Sequence, residues 1–154
     1  MRKKEKEVRD KNTIESVMKR ATICRIGLSE NDVPYVVPLN FGYKDNCLYF
    51  HSAKEGKKID MMRKNNTVCF EIDVDNELVR AENPCKWSMK YYSVIGFGKA
   101  FFLEDSREKR QALNIIMEHY AGKSSFEYPE MALDSVAVIK VEIDSITGKR
   151  SGWR

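Results

Sequence analysis

The sequence has no apolar run of the ~18 residues that a membrane-spanning helix needs. Its charged opening, MRKKEKEVR, is not followed by an apolar h-region, which argues against a secretory signal and for a cytoplasmic protein. Only two histidines occur and H-x-x-x-H is absent, so no zinc centre or other metal site is expected. Four cysteines, Cys24, Cys47, Cys69 and Cys85, show no C-x-x-C spacing. Three of them lie in apolar strand-like runs and read as small buried hydrophobes in a reducing compartment; Cys85, in a proline-containing loop, is the exception. Missing too are G-x-S-x-G, a glycine-rich phosphate loop and the Rossmann glycine pattern, and Gly96-Phe97-Gly98 has no helix after it. With no nucleophile to point to, any demanding chemistry would belong to a cofactor.

What is present describes a globular chain. Its 154 residues are 42% apolar and 32% charged, with seven Phe, seven Tyr and two Trp, enough for one domain spanning 1–154 with a real core. Residues 1–11 are so charged that they are expected to fray. The net charge of +4 is concentrated at the two ends, which reads as solvated surface and not as a nucleic-acid footprint.

The periodicities predict mostly strands. A short helix over 12–21 has Asn12 and Glu15 placed as a capping box, with Ile14, Val17, Met18 and Ala21 on one face. Strands over 22–29, 33–43 and 47–52 follow, joined by short turns, and read as an antiparallel meander. Pro34 and Pro38 remove backbone donors and mark the second of these as an edge or a ligand-facing stretch. Ser52 and Glu55 repeat the capping spacing, so a helix is expected from Ala53 to Arg63. A strand over 67–74 precedes an irregular 75–89, and a long strand over 91–103 is expected to bulge at Gly96 or Gly98. Asp105 and Glu108 cap a third helix that Gly122 ends, and a last strand turns Ile139, Val141 and Ile143 inward. About six sequential strands with three helices favour a mainly β fold, a small closed or split antiparallel barrel with peripheral helices.

One stretch, 34–58, carries the chemistry. Ser52 at a helix start with Lys57 and Lys58 one turn on combines a hydroxyl, free N–H groups and two ammonium charges, the elements of a phosphate cradle. The same three residues also suit a plain capped helix with a wet face. Pro38 and Asn40 can leave backbone groups free to read a flat polar ring, and His51, of the residue type suited to proton transfer near neutral pH, is placed to donate a proton or simply to be a hydrogen-bonded strand end. His119, in the last turn of a helix, is accounted for by the helix dipole.

The segments VPLNFGY, LYFHSAKEGKKIDMMRKN, VCFEID and CKWSMKYYSVIGFGKA, in that order over roughly 10–145, resemble the pyridoxamine 5′-phosphate oxidase-like flavin proteins, and within them the nitroimidazole-resistance branch. The resemblance implies an FMN-binding split β-barrel of Greek-key type, a homodimer with FMN at the subunit interface. By position, Pro38, Leu39, Asn40 and Phe41 would lie along the isoalloxazine. His51, Ser52, Ala53, Lys57 and Lys58 would surround the phosphate, and Trp87, Tyr92 and Ser93 of the other copy would close the site. The chain ends GKRSGWR and lacks the Arg-Leu-x-Pro tail with which a true pyridoxamine phosphate oxidase holds its substrate. The resemblance therefore implies an oxidoreductase that reduces a nitroaromatic or similar small electrophile. A non-catalytic flavin-binding or sensing module and, further off, a nucleic-acid-binding barrel are the alternatives.

Overall fold

The computed structural model describes residues 4–153. After a 3-10 turn the chain forms β1 (Glu7–Val8), α1 (Lys11–Arg20), β2 (Cys24–Glu30), β3 (Val33–Leu39), β4 (Gly42–Lys44), β5 (Cys47–Ala53) and α2 (Lys57–Lys64). It continues through β6 (Thr67–Val79), β7 (Ser88–Leu103), α3 (Ser106–Ala121), α4 (Glu130–Ser135) and β8 (Val136–Ser151). All pairings are antiparallel, in the order β3-β2-β6-β7-β8-β5-β4, with β1 added to β8. The run β6-β7-β8-β5 is Greek-key order. The two ends of the path, β3 and β4, are not hydrogen-bonded to each other although only Asn40 and Phe41 join them. That gap is the split in the barrel.

Alternation fills the inside. Ile26 and Leu28, Leu48 and Phe50, Val68, Phe70 and Ile72, and Ile139, Val141 and Ile143 form one buried cluster. Ile14, Val17 and Met18 of α1 and Ile59, Met61 and Met62 of α2 complete it. Truncating Phe50 or Phe70 to alanine would cost ~3–5 kcal/mol by the usual measure of core cavities. β4 is pressed against α3 so closely that a Cβ on Gly42 would lie 2.8 Å from the Ile115 carbonyl, which fixes glycine there.

Several expectations are corrected. The meander does not form: β2–β3 and β4–β5 are separate hairpins at opposite ends of the sheet, because Phe41 turns into the core and interrupts the predicted strand 33–43. The cap of α1 is Asp10, whose carboxylate accepts the Thr13 N–H at 2.8 Å; Asn12 lies inside the helix. The helix expected at Ala53 begins at Lys57, since the ladder with β8 holds Ser52 and Ala53 extended opposite Ala137 and Val136. Much of 75–89 is strand, β6 running on to Val79 past a register shift between Val74 and Glu77. α4 adds a fourth helix.

The charged N-terminus is tied down where described: Glu7 and Val8 pair with Lys149 and Gly148, and the Lys6 ammonium donates to Ser151 Oγ at 2.8 Å. Residues 1–3 of the segment expected to fray, and Arg154 of the basic C-terminal cluster, lie outside the described residues. The expected bulge falls between Phe97 and Gly98 in the β7–β8 ladder, and Asp105 and Gly122 bound α3 as anticipated. Among the described residues no helix is long and apolar enough to cross a membrane.

Candidate functional site

At the end of β5 the strand period separates three neighbours. His51 and Ala53 face outward and are exposed, whereas Ser52 faces inward and is buried. Its hydroxyl is fully enclosed and has no hydrogen-bond partner among the described residues. A buried hydroxyl left so costs ~1–3 kcal/mol, a cost that a ligand oxygen or a water at this point would offset.

The chain then bends through Lys54–Glu55 to Gly56, the N-cap of α2, at φ 129° and ψ 163°, a conformation that only glycine adopts without strain. Among the described residues no side chain caps this helix; the Ile59 N–H donates to the Gly56 carbonyl at 2.9 Å, and the Lys57 and Lys58 N–H groups ahead of it have no side-chain acceptor. Lys57 and Lys58 sit on that turn, and the Lys57 ammonium stands 4.5 Å over the Tyr35 ring of β3. An orphaned hydroxyl, uncapped amides and two ammonium groups follow one another within seven residues of chain. This donor set suits an anion with several acceptor oxygens, and a phosphate monoester in particular. A small hollow of about 100 Å³ lies alongside Ala137, the β8 partner of Ser52, with Lys54, Arg63 and Lys109 in its wall.

The stretch Pro38–Phe41 crosses the split. Pro38 and Asn40 are exposed, Leu39 packs on the core and Phe41 is fully buried. The Phe41 N–H donates to Tyr120 Oη at 3.0 Å, and the Tyr120 hydroxyl donates to the Thr22 carbonyl at 2.7 Å. His119 packs against Phe41 in a tilted arrangement with ring centroids 4.6 Å apart, and its Nε2 lies 2.6 Å from the Ala21 carbonyl. A carbonyl can only accept, so this nitrogen carries the proton. Burial pushes the Tyr120 hydroxyl above its ordinary pKa, and the hydrogen bond from Phe41 opposes that. The sequence gives no local signal for these contacts, which join residues 79 and 98 positions apart.

The third group does not share one face. Tyr92 turns inward with Val94 and lies under α1, where the Arg20 guanidinium is 5.7 Å from its ring centroid. It lines an open cleft of about 1010 Å³ with Asp75 and Trp153. Ser93 is on the opposite face of the strand. Trp87 precedes β7, half exposed, its indole N–H donating to the Ala81 carbonyl. On the outward face the register sets Val36, Gly27, Cys69 and Phe97 in one row across four strands. Val36 and Phe97 are 61% and 52% exposed there.

Against known proteins, the sequence profile described as pyridoxamine 5′-phosphate oxidase matches residues 10–150. Among solved structures, a candidate 5-nitroimidazole antibiotic resistance protein from Bacteroides thetaiotaomicron VPI-5482 superposes with a TM-score of 0.84 at 43% identity, over 94% of this chain and 86% of that one. The flavocytochrome Anf3 of Azotobacter vinelandii (TM-score 0.84, 18% identity, 99% of this chain and 72% of that one) shares the fold. So does an FAD- and heme-binding protein of Mycobacterium smegmatis (TM-score 0.85, 16% identity, 96% and 74%). An uncharacterized protein of Rhizobium meliloti (strain 1021) is 32% identical over 65 residues, so the match spans 42% of each chain.

Proposed function

Because the chain belongs to the pyridoxamine 5′-phosphate oxidase family, we propose that it binds FMN and works as an oxidoreductase that reduces a nitroaromatic or similar small electrophile. The observation that carries the flavin reading is the buried, partnerless Ser52 hydroxyl next to an uncapped, doubly basic helix start. In this reading Ser52, the first-turn amides of α2, Lys57 and Lys58 hold the phosphate, with His51 and Ala53 flanking it. Backbone groups along Pro38, Leu39, Asn40 and Phe41 meet the polar edge of the ring system. Bound FMN supplies the redox chemistry that the side chains lack, passing electrons from a reduced donor to the acceptor. The nitro substrate class rests on the 43% identity to the Bacteroides protein.

The chain works as a homodimer in this reading, with a second copy on the outward face; Ser93 and the half-exposed Trp87 of that copy border the pocket, while its Tyr92, turned inward under α1, supports the strand that carries them. His51, exposed at the strand end, is the residue of this set suited to pass a proton to the reduced substrate.

The purified protein, alone or after addition of FMN, is expected to show the flavin absorption bands. The Lys57→Ala/Lys58→Ala double variant is expected to lose more than about tenfold in FMN affinity, the worth of a good charged hydrogen bond. Retention of affinity within a factor of about three would remove the phosphate assignment. A yellow protein that turns over neither a reduced nicotinamide donor nor a nitroimidazole would keep the binding site and remove the enzyme.

A further inference from the structure

The last turn of α3 reaches the link between β3 and β4, the two ends of the sheet path. Between β3 and β4 the chain has no ladder partner across the gap, and Asn40 and Phe41 must bridge it. Tyr120 clamps that bridge by taking the Phe41 N–H at 3.0 Å and giving its own proton to Thr22 at 2.7 Å, while the Phe41 ring rests against His119. Three segments far apart in sequence thus meet at one hydroxyl.

The clamp also decides which donors this stretch can offer a ligand. Pro38 has no N–H, and the Phe41 N–H is taken by Tyr120. Asn40, exposed and carrying a carboxamide, is the one polar side chain of the stretch 38–41. With the Phe41 peptide pinned, the orientation of the Asn40–Phe41 peptide plane is pinned too, because the six atoms of a peptide move together. We infer that Tyr120 is a positioning residue for the flavin ring: its hydroxyl fixes the Asn40–Phe41 peptide so that Asn40 presents its polar groups to the pyrimidine edge. This rests on the FMN reading above.

Tyr120→Phe deletes one oxygen and keeps the ring. Tyr128→Phe is the control: the Tyr128 hydroxyl makes a single hydrogen bond, to Asn114 Oδ1 of α3 at 3.0 Å, where Tyr120 makes two. FMN dissociation constants, the absorption envelope of the bound flavin and its reduction potential are measured for the wild type, both variants and the Lys57→Ala/Lys58→Ala protein. Tyr120→Phe is expected to weaken FMN binding about five- to tenfold, the size of a hydrogen-bond loss. It is also expected to shift the flavin bands and the reduction potential, as the Asn40 groups that meet the ring become disordered. Tyr128→Phe is expected to stay within about twofold with an unchanged spectrum. Equal spectra, potentials and affinities for Tyr120→Phe and wild type, with the double lysine variant still impaired, would overturn the positioning role and leave the flavin reading standing. A wild-type protein that does not bind FMN would overturn both. Should Tyr120→Phe fold poorly, His119→Gln, which removes the ring that packs against both Phe41 and Tyr120, is expected to reproduce the spectral shift, and an unaltered spectrum there would equally count against the clamp.

Discussion

The Lys57 ammonium stands 4.5 Å over the face of the Tyr35 ring, so the first residue of α2 is attached to the inner side of β3. Its partner in sequence, Lys58, is half-buried and is not engaged by an aromatic ring in this way. The two lysines are therefore not equivalent. A charge already directed at a ring gains less from an anion than one that is free to turn to it. Lys58→Ala is expected to weaken FMN binding by about tenfold and Lys57→Ala by about threefold, read by quenching of flavin fluorescence on titration. The reverse order would place the phosphate on the Tyr35 side of the helix start.

Ser52 gives a prediction in which stability and binding move in opposite directions. Without ligand its enclosed hydroxyl is a cost, so Ser52→Ala should leave the flavin-free protein as stable as wild type or more stable by up to ~1–3 kcal/mol in urea denaturation. Holo protein should respond the other way, with FMN affinity falling several-fold. A loss of stability in the flavin-free variant would mean that the hydroxyl has a protein partner, and the argument from its isolation would fail.

The barrel was legible in the sequence where one period dominated. Ile139, Val141 and Ile143 alternate cleanly and all three are buried, and Asp105 and Gly122 bound α3 by local capping chemistry. The errors arose where a local pattern competed with a long-range pairing. Ser52 and Glu55 have the spacing of a capping box, but seven rungs of the β5–β8 ladder, from Cys47 opposite Glu142 to Ala53 opposite Val136, outweigh one cap. Phe41 looked like one more strand residue because nothing nearby in the chain reports Tyr120. For the site, Ser52, Lys57 and Lys58 could be read locally, whereas the clamp on Asn40–Phe41 and the opposite facing of Tyr92 and Ser93 required the fold.

On the outer face, Arg25 donates to Glu71 at 3.2 Å and to Asp73 at 2.7 Å. Even so, Glu71 is pushed above its ordinary value of 4.5, by burial first and by the neighbouring Asp73 charge second, with Arg25 opposing. An acid raised in the folded state holds its proton more tightly there than in the unfolded chain. Its favourable contribution is full below 4.5 and is lost as pH rises from 4.5 through the raised folded value. Glu71→Gln removes that loss and leaves Arg25 on Asp73. The variant is expected to melt higher than wild type at pH 7 and at the same temperature at pH 4, by differential scanning calorimetry. A lower melting temperature at pH 7 would show that the Arg25 pair outweighs burial and repulsion.

The row Val36–Gly27–Cys69–Phe97 is where the second copy is expected to dock. Gly27 leaves the row flat between two exposed apolar ends, and the adjacent row carries Arg25 and Glu71, one charge of each sign. In a two-fold contact the same patch meets itself, so a surface offering both signs beside an apolar strip can satisfy its own image. Phe97→Glu puts a carboxylate in the strip of both copies at once, while leaving the inward-facing core residues of β7 untouched. In sedimentation the wild type is expected at twice the 17.9 kDa chain mass and the variant at the single chain mass. In the proposed dimer, with the phosphate cradle on one copy and the closing residues on the other, the monomeric variant should also lose FMN although Ser52, Lys57 and Lys58 are intact. A monomer that keeps full FMN affinity would show that one copy holds the flavin alone, and a Phe97→Glu protein that remains dimeric would move the interface to another face of the barrel.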